Sequence, residues 1–112
     1  MTEDAWWATG SLSARVAEQD GAAALYLAGE LDLDGARAVE RQLTRALEKH
    51  SRLIVDLSAL TFMDSSGIAV LERTKNRCDE RNAQLVVRVG DSAAVRRVLD
   101  FIGGNRVFDV TD

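Results

Sequence analysis

Apolar positions in this chain switch repeatedly between the spacing of strands and the spacing of helices. Leu12-Ser13-Ala14-Arg15-Val16-Ala17 alternates weakly and leads to Gln19-Asp20-Gly21, a turn signal, after which Ala22 to Leu27 is almost wholly apolar. This order predicts a hairpin at the start of the fold. Beyond Gly29-Glu30-Leu31-Asp32, the residues Ala36, Val39, Leu43, Ala46, Leu47 and His50 recur at spacings of three, four and seven. Such spacing places them on one stripe of a helix over about Leu33 to Lys49, with Asp32 as its N-cap.

Leu53-Ile54-Val55-Asp56-Leu57 does not alternate, as expected of a central strand covered on both faces and paired in parallel. Gly67, Val70, Leu71, Thr74 and Cys78 form the stripe of a second helix starting near Ser65. Leu85 to Val89 reads as the next strand, and Val95, Val98, Leu99 and Ile102 as a third helix entered after Asp91-Ser92 and ended by Gly103-Gly104. Val107 to Val110 supplies a last short strand. Strands and helices alternate after the hairpin, which predicts an α/β fold with a mixed central sheet of four to five strands and helices packed mainly on one face. Trp6 and Trp7 precede the first strand in a segment with no assigned place; they could cover the sheet edge or belong to a mobile tail.

At 112 residues, 46% hydrophobic and 29% charged with the charges dispersed, the chain suits one globular core. A net charge of −4 disfavours a direct nucleic-acid partner, which would require clustered Lys and Arg. The single cysteine, Cys78, excludes an internal disulfide and fits a reducing cytoplasm. Met1 to Trp7 lacks the basic and apolar regions of a signal peptide, and no window approaches a membrane span, so neither export nor membrane insertion is expected.

The informative stretch is Ala59-Leu60-Thr61-Phe62-Met63-Asp64-Ser65-Ser66-Gly67, between the central strand and the second helix. With Asp64 as cap, Ser65 takes the first helical position and Ser66 the second. Free backbone N–H groups and the positive end of the helix dipole then favour an added anion at either hydroxyl. A phosphate there would add about −1.5 to −2 charges, leaving the fold standing while repelling an apposed acidic partner.

Phe62-Met63-Asp64-Ser65-Ser66-Gly67-Ile68-Ala69-Val70-Leu71, following Ile54-Val55-Asp56-Leu57-Ser58, resembles the signature of the anti-sigma factor antagonists, a family with the STAS domain. Gly29-Glu30-Leu31-Asp32 resembles that family's second motif, and Val95-Arg96-Arg97-Val98-Leu99 its third. The resemblance runs from about Leu12 to Val110, which divides the chain into an N-terminal extension, 1–11, and a STAS domain, 12–112. It implies a partner-switching cycle in which the unmodified antagonist binds an anti-sigma factor that is also a serine kinase, releasing the sigma factor. The kinase then phosphorylates the first serine after the aspartate, here Ser65, and a serine phosphatase reverses the modification. On this resemblance Asp32, Met63, Asp64, Ser65, Ser66 and Gly67 form the partner-binding surface. Ala69 stands where many members carry a second glycine, which improves helix propensity.

The remaining chemistry is sparse. His50 sits at a predicted helix end, where a cation is favoured, and Ser65 lacks a Gly-x-Ser-x-Gly elbow, so a serine hydrolase is rejected. Cys78 lies on an apolar stripe as a core residue, and one His with one Cys cannot build a zinc site. Gly103-Gly104 follows a helix, whereas a phosphate-binding loop precedes one. The chain is thus expected to be a non-enzymatic binding module without cofactor or metal. Two other readings of the same fold are an unmodified interaction subunit of a signalling scaffold or transporter complex, and a small-ligand or nucleotide-binding domain.

Overall fold

The computed structural model describes residues 5–103 and 108–112. Its elements in chain order are β1 (Ala5–Thr9), β2 (Leu12–Gln19), β3 (Ala22–Leu31), α1 (Leu33–Leu47), β4 (Arg52–Met63), α2 (Ser65–Glu80), β5 (Gln84–Arg88), α3 (Ala93–Ile102) and β6 (Asp109–Thr111). The strands form one sheet in sequential order. β1 to β3 are antiparallel, and β3 to β6 run parallel, each parallel pair joined through a helix.

The β2–β3 hairpin turns on Asp20 and Gly21, with φ of 52° and 81°. Two successive positive-φ residues make the two-residue loop whose twist matches antiparallel strands, which is why Asp-Gly serves there. Ala23, Leu25 and Leu27 of β3, Leu53, Val55 and Leu57 of β4, and Leu85 and Val87 of β5, with Val89 just past its end, point to one face of the sheet. They form a single core with Ala36, Val39, Leu43 and Leu47 of α1, Val70, Leu71 and Cys78 of α2, and Val95 and Leu99 of α3. The helices therefore cover one face of a mixed sheet, as the sequence pattern predicts. On the other face Ala22, Ala24, Ile54 and Val86 form a small cluster against Tyr26. The Tyr26 hydroxyl donates to Gln19 Oε1 at 3.0 Å, and the Arg15 guanidinium lies 4.2 Å from the centre of its ring.

Six strands are present, more than the four to five expected, because Ala5–Thr9 pairs with β2 as an edge strand. This places the two tryptophans: Trp7 packs against the main core, while Trp6 is 71% exposed on the opposite face. The first helix ends at Leu47, slightly before the expected Lys49, and the third ends on Gly103 in the left-handed conformation. Gly104 and Val107, which the sequence reading placed at that helix end and in the last strand, lie outside the described residues.

The larger difference is in β4, which continues through Ala59–Met63, a stretch read from sequence as a connection. Past Asp56 no pairing with β5 remains, and among the described residues the strand pairs with β3 alone, through Ala28↔Ala59, Gly29↔Leu60, Glu30↔Phe62 and Leu31↔Met63. Paired on one side only, it has no need of the continuous apolar run that marks a central strand. Register shifts on either side of Gly29 accompany this extension. Gly29 has φ of 97°, and the Glu30 N–H donates to the Ser11 carbonyl at 3.0 Å. A Cβ on Gly29 would lie 2.1 Å from that same carbonyl oxygen, so the position admits no side chain. Gly29→Ala is expected to lower stability by roughly 2–4 kcal/mol, through strain at positive φ and displacement of the β2 start. Urea unfolding measures this directly; a change under about 0.5 kcal/mol would show that the bulge relaxes freely.

Candidate functional site

Two strand-to-helix junctions stand side by side at the carboxyl ends of β3 and β4. Leu31 is opposite Met63 in the parallel ladder, and the Asp64 N–H donates to the Leu31 carbonyl at 3.4 Å. Each strand passes into an aspartate with nearly the same backbone, Asp32 at φ −110°, ψ −168° and Asp64 at φ −110°, ψ −171°. Each aspartate caps the helix that follows. Asp32 Oδ1 accepts from the Gly35 N–H at 3.2 Å, and Asp64 Oδ1 from the Ser66 N–H at 2.9 Å, satisfying donors that a helix start leaves open. Each helix then carries a buried glycine as its third residue, Gly35 or Gly67. A Cβ on Gly67 would come within 2.8 Å of Met63 Cγ and 2.9 Å of Leu31 Cδ2, so α2 starts directly upon the Leu31–Met63 pair. Leu33-Asp34 on α1 thereby occupies the same positions as Ser65-Ser66 on α2.

Ser65 is exposed, and among the described residues its hydroxyl makes no hydrogen bond. Ser66 and Asp64 are half-buried and Asp32 is exposed, so these four reach the surface together. Met63, 4% exposed, and Gly67, also buried, were expected within the partner-contacting set; both lie beneath that surface and support it. A third helix start joins the same edge of the sheet. The Ser92 hydroxyl donates to the Leu60 carbonyl at 2.8 Å and accepts from the Val95 N–H at 3.3 Å, tying α3 to the end of β4. Carboxyl ends of parallel strands are where open α/β sheets present their binding surfaces.

Leu33, 54% exposed, lines a groove with Ser65, and Phe62, 43% exposed, lies near the end of β4; both give this end of the sheet an apolar element that the helix and strand periodicities do not reveal. From Ser65 a groove of about 450 Å³ runs between α1 and α2, lined by Leu33, Ala36, Arg37, Glu40, Ser65, Ser66, Ala69 and Arg73. Glu40 crosses from α1 to α2. Its two oxygens accept from Arg73 Nε and Nη2, both at 2.8 Å, and Oε2 also accepts from Arg77 Nη1 at 2.9 Å. The Arg73 hydrogen bonds, with those of Arg77, outweigh the opposing effect of burial and hold the Glu40 carboxyl down at about 2. Glu40 and Arg73 are 33 positions apart, so this clasp had no signature in a helical stripe.

His50 lies beyond the far end of α1 from Ser65, with Nδ1 3.1 Å from the Ala46 carbonyl oxygen and Nε2 3.9 Å from Glu18. It is not placed to act on Ser65. Cys78 is buried, and desolvation pushes its thiol up, away from the reactive thiolate. Among the described residues no group of three or more His, Cys, Asp and Glu is placed to hold a metal ion, and no helix is long and apolar enough to cross a membrane.

With this geometry in view, comparison with known proteins gives concordant matches. The family model of the STAS domain matches residues 13–112. Anti-sigma-F factor antagonist RsfB of Mycobacterium tuberculosis is 30% identical over 99 residues, covering 88% of this chain and 80% of RsfB. An anti-sigma factor antagonist from Mycobacterium paratuberculosis superposes with a TM-score of 0.79 at 26% identity, over 89% of this chain and 85% of that structure. The anti-sigma factor antagonist SpoIIAA in its unphosphorylated form shares the fold, with a TM-score of 0.71 at 18% identity over 98% of this chain and 89% of its own.

The Glu40 clasp leads to a pH-dependent expectation. Its carboxyl titrates near 2 in the folded chain against an ordinary 4.5, so the stabilisation is complete above about pH 4.5 and fades as pH falls toward 2. Glu40→Gln is expected to cost about 1 kcal/mol at neutral pH, the scale of a partly exposed ion-pair network, with the deficit shrinking below pH 4.5. Urea midpoints taken across that range test this, and a deficit that stays constant down to pH 2 would contradict the assignment.

Proposed function

The chain belongs to the STAS domain family, and from that membership and the display of Ser65 we propose that it is an anti-sigma factor antagonist whose partner affinity is set by phosphorylation of Ser65. Unmodified, it docks on an anti-sigma factor through the edge formed by the starts of α1 and α2. That partner, a serine kinase as well, thereby gives up its sigma factor. Asp32, Asp64, Ser65 and Ser66 supply the contacting surface, while Met63 and Gly67 fix its shape from below.

The observation that carries this reading is the exposed Ser65 hydroxyl, without a hydrogen-bond partner among the described residues, on the first residue of a helix that is already capped. Because Asp64, and not Ser65, holds the cap, the serine can be modified while the helix start keeps its hydrogen bonds. In the transfer, Ser65 Oγ forms the new P–O bond to the γ-phosphorus of ATP as the bond to the β,γ-bridging oxygen breaks. ADP leaves and the hydroxyl proton passes to a base of the kinase. The product adds about −1.5 to −2 charges beside Asp64 and Asp32, which suffices to repel an acidic docking face. A serine phosphatase returns the chain to its binding state. The antagonist itself contributes no catalysis; it is a binding module acting in the cytoplasm with the transcription machinery's regulators.

Protein isolated from its native host under inducing and non-inducing conditions is expected to show a fraction heavier by about 80 Da, the mass of a phosphoryl group, located to Ser65 by fragmentation. Ser65→Ala, a change at an exposed position, is expected to fold with stability within about 0.5 kcal/mol of the parent and to stay bound to the captured kinase in the presence of ATP. Loss of Ser65→Ala from its partner upon ATP addition, to the same extent as the parent, would overturn the proposal.

A further inference from the structure

Resting on that reading, and going beyond it, we propose that Arg37 is the receptor of the Ser65 phosphate, which folds into the groove between α1 and α2. The groove has Ser65 at its mouth and Ala36 and Ala69 among its lining residues. Two small side chains facing each other from neighbouring helices leave room for a phosphate to lie between them. Two arginines line the same groove, Arg37 and Arg73, and they differ in availability. Arg73 donates from Nε and Nη2 to the two Glu40 oxygens, both at 2.8 Å, and Arg77 adds a third contact to the same carboxylate. Arg37 makes no ion pair or hydrogen bond among the described residues and is exposed.

Position favours Arg37 as well. It follows Leu33 by one helical turn, a rise of about 6 Å, and Leu33 occupies on α1 the place that Ser65 occupies on α2. Helical side chains lean toward the N-terminus, so the Arg37 guanidinium is carried back toward the level of Ser65. Arg73 lies eight residues beyond Ser65, about 12 Å along α2. The acidic groups near the modified serine are Asp64 at the α2 cap and Asp32 and Asp34 at the start of α1, with Glu40 farther along and neutralised by its two arginines. These charges push the phosphate from the cap side, and Arg37 draws it into the groove as a planar fork that matches phosphate oxygens. The modified state is then a rearranged docking face, with the anion lying across Ala36 and Ala69.

The test uses the full chain with phosphoserine installed at position 65 during translation, and follows the phosphate's second ionisation by phosphorus NMR. Arg37→Gln is expected to raise that pKa by about half a unit relative to the phosphorylated parent, with Arg37→Lys in between. Arg45→Gln, an equal charge change about 12 Å farther along α1, is expected to move it much less. Equal shifts for Arg37→Gln and Arg45→Gln, or no shift for Arg37→Gln, would overturn the assignment. Because the phosphate is placed without a kinase, the titration judges Arg37 independently. Failure to find phosphoserine in the native protein would count against the switch and leave this result unaffected.

Discussion

The structure depends on the parallel pairing of β3 with β4 that brings Leu31 level with Met63. Two strands ending at one height deliver two helix starts to one place, and all that is distinctive about the surface follows from that. Where that pairing runs past Asp56, Gly29 takes a positive φ beside the Ser11 carbonyl, at a place where any side chain would collide. Gly67 then allows α2 to settle on the Leu31–Met63 pair. Neither glycine has room for a side chain: one lies at the irregular pairing near the end of β3, the other at the seat of the helix that carries Ser65.

The groups that hold the fold and the exposed Ser65 hydroxyl are separate in this arrangement. The fold is held by the core between the sheet and its three helices, and by caps that use Asp32, Asp64 and Ser92. Ser65 belongs to neither. Its modification would bring a large charge to a side chain whose hydroxyl makes no hydrogen bond among the described residues, next to exposed Leu33 in the same groove. An added anion at such a point changes what the edge can bind while the core remains packed.

Much of this was legible in the amino-acid order. The three helical stripes, the Asp20-Gly21 turn and the Asp64 cap follow from local periodicity and local hydrogen bonding, which sequence carries directly. Three features were hidden for the complementary reason. The end of β4 has a partner on one side only and loses the apolar run of a central strand. The strand at Ala5–Thr9 is short and largely exposed at the sheet edge, so two tryptophans there formed no interpretable pattern. The Glu40–Arg73 clasp and the groove beside it join residues on different helices, and only the packing of α1 against α2 brings them together. Met63 and Gly67 appeared in the motif beside Ser65, but adjacency in sequence did not disclose that they face inward.

The most direct measurement compares the unmodified chain with the chain carrying phosphoserine at position 65, recording both the amide NMR spectrum and the affinity for the captured anti-sigma factor. Peak shifts are expected to be confined to the starts of α1 and α2, with an unchanged core and an affinity at least tenfold weaker, equivalent to about 1.4 kcal/mol or more. Equal affinities for the two forms, or a core spectrum that collapses on modification, would contradict it.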